Sequence, residues 1–215
     1  MAGLIGRVIW LVFILIFPFI FLIRFSVYLH IKEELIPWAC IMGGCIFTSV
    51  ILFFYFTFMY GLFFTGERER PRLLRRLFIA FGLVVLYCLH GLFYMSGDNM
   101  KTTDLKSEVR KVHPILRLSV STLIHLDKDL IITDADRLPE DYKKMGLKTK
   151  GQSLHYKQSN GYAHAIDLRT QGRSEVRNFV TQSFFRLMGF NTLRHKGTAD
   201  HLHVSMMSHD RPGAK

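Results

Sequence analysis

Three long hydrophobic runs in the first 96 residues constrain the fold of this 215-residue chain more than any other feature. They cover residues 8–28, 37–64 and 77–95. Each run is long enough, at 1.5 Å rise per residue, to cross a hydrocarbon core of about 30 Å. We therefore expect residues 1–96 to form a three-helix transmembrane anchor. A removable signal peptide is the other interpretation of the first run, but a small-residue cleavage pattern is lacking.

The two loops between the runs differ in charge and so indicate an orientation. Residues 66–76 (GERERPRLLRR) carry five arginines, whereas residues 30–36 (HIKEELI) carry one lysine and two glutamates. Arginine-rich short loops stay on the cytoplasmic side of a membrane. The predicted location is therefore a multi-pass protein of a bacterial inner membrane, with the N-terminus inside and the C-terminal domain in the periplasm.

Small residues within the runs also bear on how the helices pack. Gly43 and Gly44 lie in the second run, and Gly82 and Gly91 lie in the third. Glycine lets helix backbones approach closely inside a membrane. The pattern predicts close packing only weakly, because such glycines are common.

Beyond Ser96, charged and apolar residues mix as they do in a soluble domain. Residues 97–129 are expected to form a juxtamembrane linker and helix, and residues 130–215 a compact domain. The spacing of apolar residues predicts helices over 104–113, from Pro114 onward, over 140–145 and over 174–188, the last ending at Gly189 as its C-cap. Short apolar or alternating runs predict strands over 130–133, 163–168, 191–195 and 201–206. The simplest assembly is an α+β fold, with helices on one face of a small antiparallel sheet.

Histidines are concentrated in this second part, where eight of the ten lie. Because side chains alternate along a strand, His201 and His203 point to the same side. Asp167 on a neighbouring strand and His155 before it can complete a ligand set. Two imidazoles and one carboxylate leave an open tetrahedral position, as in catalytic rather than structural zinc sites.

Three segments resemble the LAS metallopeptidases, a group that includes lysostaphin-type endopeptidases, D-Ala-D-Ala carboxypeptidases and dipeptidases, and the hedgehog signalling domain. They are SLHY at 153–156, AHAIDLRT at 163–170 and GFNTLRHKGTADHLHVS at 189–205. The resemblance covers about residues 130–206. It implies a LAS-like fold in which His155, Asp167 and His203 bind Zn²⁺ as the cofactor.

The resemblance also implies catalytic residues. His201 takes the position next to the attacking water, and Arg137 in ITDADR takes that of an arginine that binds the substrate carboxylate or the oxyanion. Many D-Ala-D-Ala enzymes have a glutamate where this chain has Asp200. Either His201 or the shorter acid Asp200 can therefore be the general base, and an imidazole that titrates near neutral pH favours His201.

The first ligand is open to a second interpretation. Eleven residues separate His155 from Asp167, more than the family usually has, and the insertion KQSNG at 157–161 would explain the difference. The alternative ligand is His164. Strand alternation turns His164 away from Asp167, which favours His155.

Together these patterns predict a membrane-anchored zinc metallopeptidase, of the D,D- or L,D-carboxypeptidase or endopeptidase type, acting on peptidoglycan peptides through a metal-activated water. After Ser96 the chain has 20 Lys and Arg against 13 Asp and Glu, and this excess suits peptide stems with free carboxylates. The alternative is an inactive, zinc-holding scaffold in a membrane complex. The expected partners are the lipid bilayer, peptidoglycan peptides and either further copies of the chain or other membrane proteins. Nucleic acid is not expected as a partner.

Overall fold

A computed structural model describes residues 2–63, 70–144, 146, 152–197 and 200–214. The first part is helical: α1 spans Ala2–Lys32, α2 Pro37–Phe63 and α3 Arg70–Phe93. Two stretches, Pro37–Phe58 and Leu73–Phe93, are long and apolar enough to cross a membrane. The first predicted span, 8–28, lies within α1, and the side chains of residues 1–16 lie outside the described part of the chain.

The exposed surfaces of α2 and α3 are rich in large apolar side chains. Met42, Phe54, Phe78 and Phe93 are each more than 60% exposed. Only 39% of the α2 stretch and 28% of the α3 stretch are buried by the rest of the chain. The core helix of a soluble protein is mostly buried, and contiguous exposed apolar surface marks contact with another phase or another molecule.

The last part of the arginine-rich segment 66–76 is helical. Residues 64–69 lie outside the described part of the chain, but from Arg70 onward the chain is already helical. Proline is well accommodated in the first turn of a helix, so Pro71 does not prevent an early start. The predicted loop end at Arg76 is therefore wrong, whereas the predicted orientation stays a prediction.

The second part is an α+β assembly, as the patterns predict. After a 3₁₀ turn at Gly97–Asn99, its elements are α4 (Leu105–Val109), α5 (Pro114–Leu126), β1 (Ile132–Asp134), α6 (Pro139–Lys144), β2 (Ala165–Arg169), α7 (Glu175–Met188), β3 (Asn191–His195) and β4 (His201–Ser205). The linker helix α4 is shorter than the predicted 104–113. It stops before His113, which caps α5 instead.

Local chemistry explains where the main helices begin and end. The His113 side chain accepts a hydrogen bond from the Ile115 N–H, and Pro114 follows it as the first residue of α5. Ser174 caps α7 by accepting from the Arg177 N–H at 3.3 Å. Gly189 ends α7 with φ +96°, a left-handed conformation that favours glycine. The predicted C-cap is thus confirmed.

The four strands form one antiparallel sheet in the order β1-β2-β4-β3. Its two faces differ because side chains alternate along each strand. Ile166 and Leu168 of β2 lie opposite Val204 and Leu202 of β4, and all four are buried in the apolar core. The other face carries the polar pairs: Asp167 lies opposite His203, and Arg169 opposite His201.

One apolar cluster joins the two parts of the chain. It contains Leu22 and Ile23 of α1 and Val84 of α3 together with Leu116 of α5 and Phe185 of α7. The described part of the molecule therefore has a core that runs from the long helices to the sheet.

Candidate metal centre

Asp167, His203 and His155 meet on the polar face of the sheet. Asp167 is at the middle of β2, and His203 is its direct partner on β4. Directly opposite residues in an antiparallel pair share a face, so the strand register alone brings these two side chains together. His155 comes from the segment before β2. Its carbonyl accepts from the Arg137 N–H at 3.1 Å, which ties this segment to the chain after β1.

The three candidate ligand atoms lie within a small triangle. Asp167 Oδ1 is 2.8 Å from His203 Nδ1 and 3.3 Å from His155 Nε2, and the two histidine nitrogens are 3.2 Å apart. Ligands at the zinc–nitrogen distance of about 2.0–2.1 Å in a tetrahedral site are roughly 3.3 Å from one another. The three atoms are therefore already spaced almost as a metal ion requires.

The other polar atoms of these side chains orient the ligands. The Nδ1–H of His155 donates to the Ala135 carbonyl at 2.7 Å, which directs Nε2 into the triangle. Asp167 Oδ2 accepts from Arg137 Nη2 at 2.9 Å, which leaves Oδ1 for the metal side. Such outer contacts are typical of protein metal sites, where they fix the tautomer and the direction of each ligand.

His203 has one ring nitrogen inside the triangle and one outside it. Its Nδ1 contacts Asp167, and its Nε2 is buried without a hydrogen-bond partner among the described residues. A neutral His203 with its proton on Nε2 would present the Nδ1 lone pair to the centre of the triangle.

Electrostatics in the triangle favour a positive charge. Burial by itself lowers the pKa of His155, but the charge of Asp167 and the hydrogen bond to it outweigh burial and raise that pKa. Burial by itself raises the pKa of the Asp167 carboxyl, but the neighbouring histidines outweigh burial and hold that pKa well below its usual range. The carboxylate thus stays ionised in a buried place, and a cation would balance its charge.

His201 lies at the mouth of the site. Its Nε2 is 3.8 Å from Asp167 Oδ2, and its side chain is 28% exposed while those of Asp167 and His203 are mostly buried. The predicted same-side placement of His201 and His203 is therefore what the structure shows. An imidazole at this position is open to solvent on one side and next to the ligands on the other. The ring also stacks on His195, with ring centroids 4.8 Å apart.

Asp200, the other predicted base, is engaged elsewhere. Arg194 donates to its carboxylate at 2.9 and 3.2 Å, and Thr170 Oγ1 donates at 2.5 Å. The hydrogen bonds from Arg194 and Thr170 lower the pKa of Asp200 to about 2. A carboxylate that binds protons so weakly and is held by an arginine is poorly suited to accept a proton near neutral pH.

Arg137 lies inside the site, and its guanidinium contacts the two aspartates there. Besides Asp167, its guanidinium contacts Asp134 through Nε at 2.7 Å. Asp134 and Asp167 are paired across β1 and β2 next to a register shift, so two carboxylates lie side by side. Arg137 bridges them, and its predicted contact with substrate stays a prediction.

His164, the alternative ligand, points away from the triangle. Its nitrogens contact Asn160 Nδ2 at 2.8 Å and the Met207 carbonyl at 3.2 Å. The structure therefore groups His155, not His164, with Asp167 and His203. Asp134 and the Ala135 carbonyl were missed by the sequence reasoning, although Asp134 is three residues before Arg137 in the ITDADR segment that drew attention to the arginine.

Comparisons with known proteins add no family. No family model, no curated protein sequence and no solved structure matches this chain. Its buried histidines and aspartate can hold a metal ion.

Proposed function

We propose that this chain is a membrane-anchored zinc peptidase of the LAS type that hydrolyses cell-wall peptides. The observation that carries the proposal is the convergence of His155 Nε2, Asp167 Oδ1 and His203 Nδ1 from three separate segments, 2.8–3.3 Å apart. Two imidazoles and one carboxylate are the donor set of many catalytic zinc sites. The residues therefore fit the ion that the sequence resemblance implies.

Zn²⁺ at this place would supply a Lewis acid that polarises an amide carbonyl and acidifies a water molecule. The protein residues supply the rest of the chemistry. His201, half-exposed beside Asp167, is placed to take a proton from water and return it to the leaving amine. His155 and Asp167 are kept in place by Ala135 and Arg137, so that the site needs little rearrangement when a substrate binds.

The helices α2 and α3 support a membrane location. Both contain a stretch long and apolar enough to span a bilayer, with large apolar side chains on the surface. We propose that α1 is the third span, as the hydrophobic run at 8–28 suggests. With the arginines of 66–76 in the cytoplasm, three crossings place the candidate metal centre on the outer side, where peptidoglycan is found.

The experiment uses the full chain, purified in detergent and loaded with Zn²⁺. Incubated with muropeptides, the wild type is expected to release peptide fragments or terminal residues that mass spectrometry detects. His203→Ala and Asp167→Asn should each abolish release, as should a chelator, with recovery on adding Zn²⁺. His125→Gln, which changes a histidine outside the candidate metal centre, should behave as wild type. Equal product from wild type and His203→Ala would refute the proposal.

A second candidate is a zinc-holding scaffold without turnover. It is favoured by the engagement of Asp200 with Arg194 and Thr170, which removes the carboxylate base that the sequence offered. This candidate predicts one Zn²⁺ bound through His203 but no cleavage of any muropeptide. The same experiment distinguishes the two, because only the peptidase releases product.

A further inference from the structure

A second histidine cluster lies where the long helices meet the sheet. His30 is at the end of α1, His113 caps α5, and His164 directly precedes β2. Each offers a ring nitrogen, and these nitrogens lie within 4.8 Å of one another. The ring centroid of His113 is 4.8 Å from that of His30 and 4.9 Å from that of His164.

All three histidines are buried: 4% of the surface of His30, none of that of His113 and 1% of that of His164 is exposed. At hydrogen-bond distance, neither nitrogen of His30 nor the Nε2 of His113 has a partner among the described residues, although backbone groups of Met207 and Leu35 act on the His30 ring. A buried polar atom without a partner is destabilising. A metal ion would take one lone pair from each ring and so would satisfy one nitrogen of His30 and the Nε2 of His113.

The nitrogen on His164 is directed by its other contact. Nδ1 lies 3.2 Å from the Met207 carbonyl, which can only accept, so Nδ1 carries the proton and Nε2 the lone pair. A histidine that donates one N–H to a backbone carbonyl and turns the other nitrogen inward has the arrangement of a metal ligand. Asn160 Nδ2 donates to that lone pair at 2.8 Å.

We propose that His30, His113 and His164 bind a divalent transition-metal ion of the zinc class, which joins α1 to the C-terminal domain. The site is structural by its place, because its ligands come from the end of α1, from the start of α5 and from the residue before β2. The fourth tetrahedral position is left for water. Binding replaces two hydrogen bonds. Asn160 leaves His164 Nε2, and the hydrogen bond from the Ile115 N–H to His113 Nδ1, 3.3 Å long, is given up when the proton moves to Nδ1.

This site is separate from the candidate catalytic centre. His164 faces away from Asp167 and belongs to a different group of ligands. The inference does not rest on the proposed function, since a structural metal can be present whether or not the chain is a peptidase. Its test must remove the first site and leave the second.

The test uses the full chain in detergent, stripped of metal, with Asp167→Asn/His203→Ala as background. Co²⁺ is titrated and followed by its visible d–d absorption, and Zn²⁺ is then used to displace it. The background protein is expected to bind one equivalent with an intense, tetrahedral-type spectrum. Zn²⁺ should also raise its Tm. Adding His164→Asn or, independently, His30→Gln should remove both the spectrum and the Tm shift.

His125→Gln in the same background serves as the control, and it should still bind one equivalent. Circular dichroism of each metal-free variant confirms that its helices remain. The proposal is overturned if the background protein binds no Co²⁺, or if binding survives the combined loss of His30 and His164. If the wild type binds two equivalents of Co²⁺, both sites are supported. If the wild type binds one equivalent and Asp167→Asn/His203→Ala still binds it, only the site at His30, His113 and His164 is supported.

Discussion

At the scale of single residues, Arg137 is the side chain to whose predicted role the structure adds most. It bridges Asp134 and Asp167, with contacts of 2.7 and 2.9 Å. Without it, two carboxylates would face each other across β1 and β2, and Asp167 would lose the contact that turns Oδ1 toward the histidines. We therefore expect Arg137→Gln to lower Zn²⁺ affinity at the candidate metal centre by roughly 10–100-fold, the usual effect of removing an outer partner.

Competition with a chelating dye measures this affinity. It is best done in a His164→Asn background, so that the second cluster does not contribute. Arg194→Gln is the matched control, because that arginine holds Asp200 and no candidate ligand, and it should leave the affinity unchanged. If Arg137 acts only on substrate, Arg137→Gln will bind Zn²⁺ as tightly as the wild type and show only a higher KM.

The family resemblance supplied the choice of His155, Asp167 and His203, and strand alternation, which is a local rule, supplied the facing of Asp167, His201 and His203. Alternation places the side chains of Asp167 and His164 on opposite faces of the sheet, and those of His203 and His201 on the same face, whatever the rest of the fold is. It could not predict that Asp200 pairs with Arg194, since that contact depends on how β3 and β4 pair. The Arg137–Asp134 pair is a local contact, three residues apart in the chain, which strand alternation does not address. The His30 cluster was out of reach for a stronger reason. Its members are far apart in the chain and meet only through tertiary packing.

At the scale of secondary-structure elements, the same contrast appears at helix ends. Capping residues signal a boundary within a few positions, so the start of α5 at Pro114 and the end of α7 at Gly189 were predicted correctly. The start of α3 at Arg70 was missed because charge was used as the sign of a loop. Arginine is in fact a good helix former, so a run of arginines does not end a helix.

Helix packing between α1 and α2 depends on Gly44. A Cβ at that position would lie 2.8 Å from the Leu22 carbonyl oxygen and would also contact Ser26 Oγ. The obstacle is the backbone of α1, which can yield only if the whole helix shifts. We expect Gly44→Ala to destabilise the protein by about 1–3 kcal/mol, the usual cost of overpacking.

Gly82 gives a matched comparison on α3. Nothing lies within 4 Å of a Cβ placed there, so Gly82→Ala should be neutral or should stabilise by up to about 1 kcal/mol through helix propensity. Thermal unfolding of both variants in the same detergent, followed by circular dichroism, measures the difference. Equal Tm values would show that α1 and α2 do not pack this closely.

At the scale of the whole molecule, α5 belongs to both parts of the chain. Ile115, Leu116 and Leu118 are fully buried in the cluster that includes α1 and α3. Hydrogen bonds reinforce this contact: Tyr87 of α3 bonds Thr122, and His90 bonds His125 with their Nε2 atoms 2.8 Å apart. The long helices thus act as packing partners of the C-terminal domain, in addition to any role as an anchor.

Contacts beyond α5 extend this interface. His209 Nε2 donates to the His30 carbonyl at 2.9 Å, and Trp38 Nε1 donates to the Tyr162 hydroxyl at 3.2 Å. Gly189 lies directly against the Arg24 side chain of α1. The predicted boundary at residue 96 therefore separates regions of different composition that share one continuous core.

A fragment of residues 97–215, cut at that boundary, tests how far the C-terminal part depends on the long helices. Removing α1–α3 would expose the buried face of α5, and each large apolar side chain buried there contributes roughly 1.5–3 kcal/mol. The fragment is therefore expected to aggregate or to melt at a lower temperature than the full chain in detergent, and to bind Zn²⁺ more weakly. Co-expression with residues 1–96 as a separate chain should restore both properties, because the missing surface returns. A monomeric fragment with the Tm and Zn²⁺ affinity of the full chain would show instead that the long helices only tether this part of the protein.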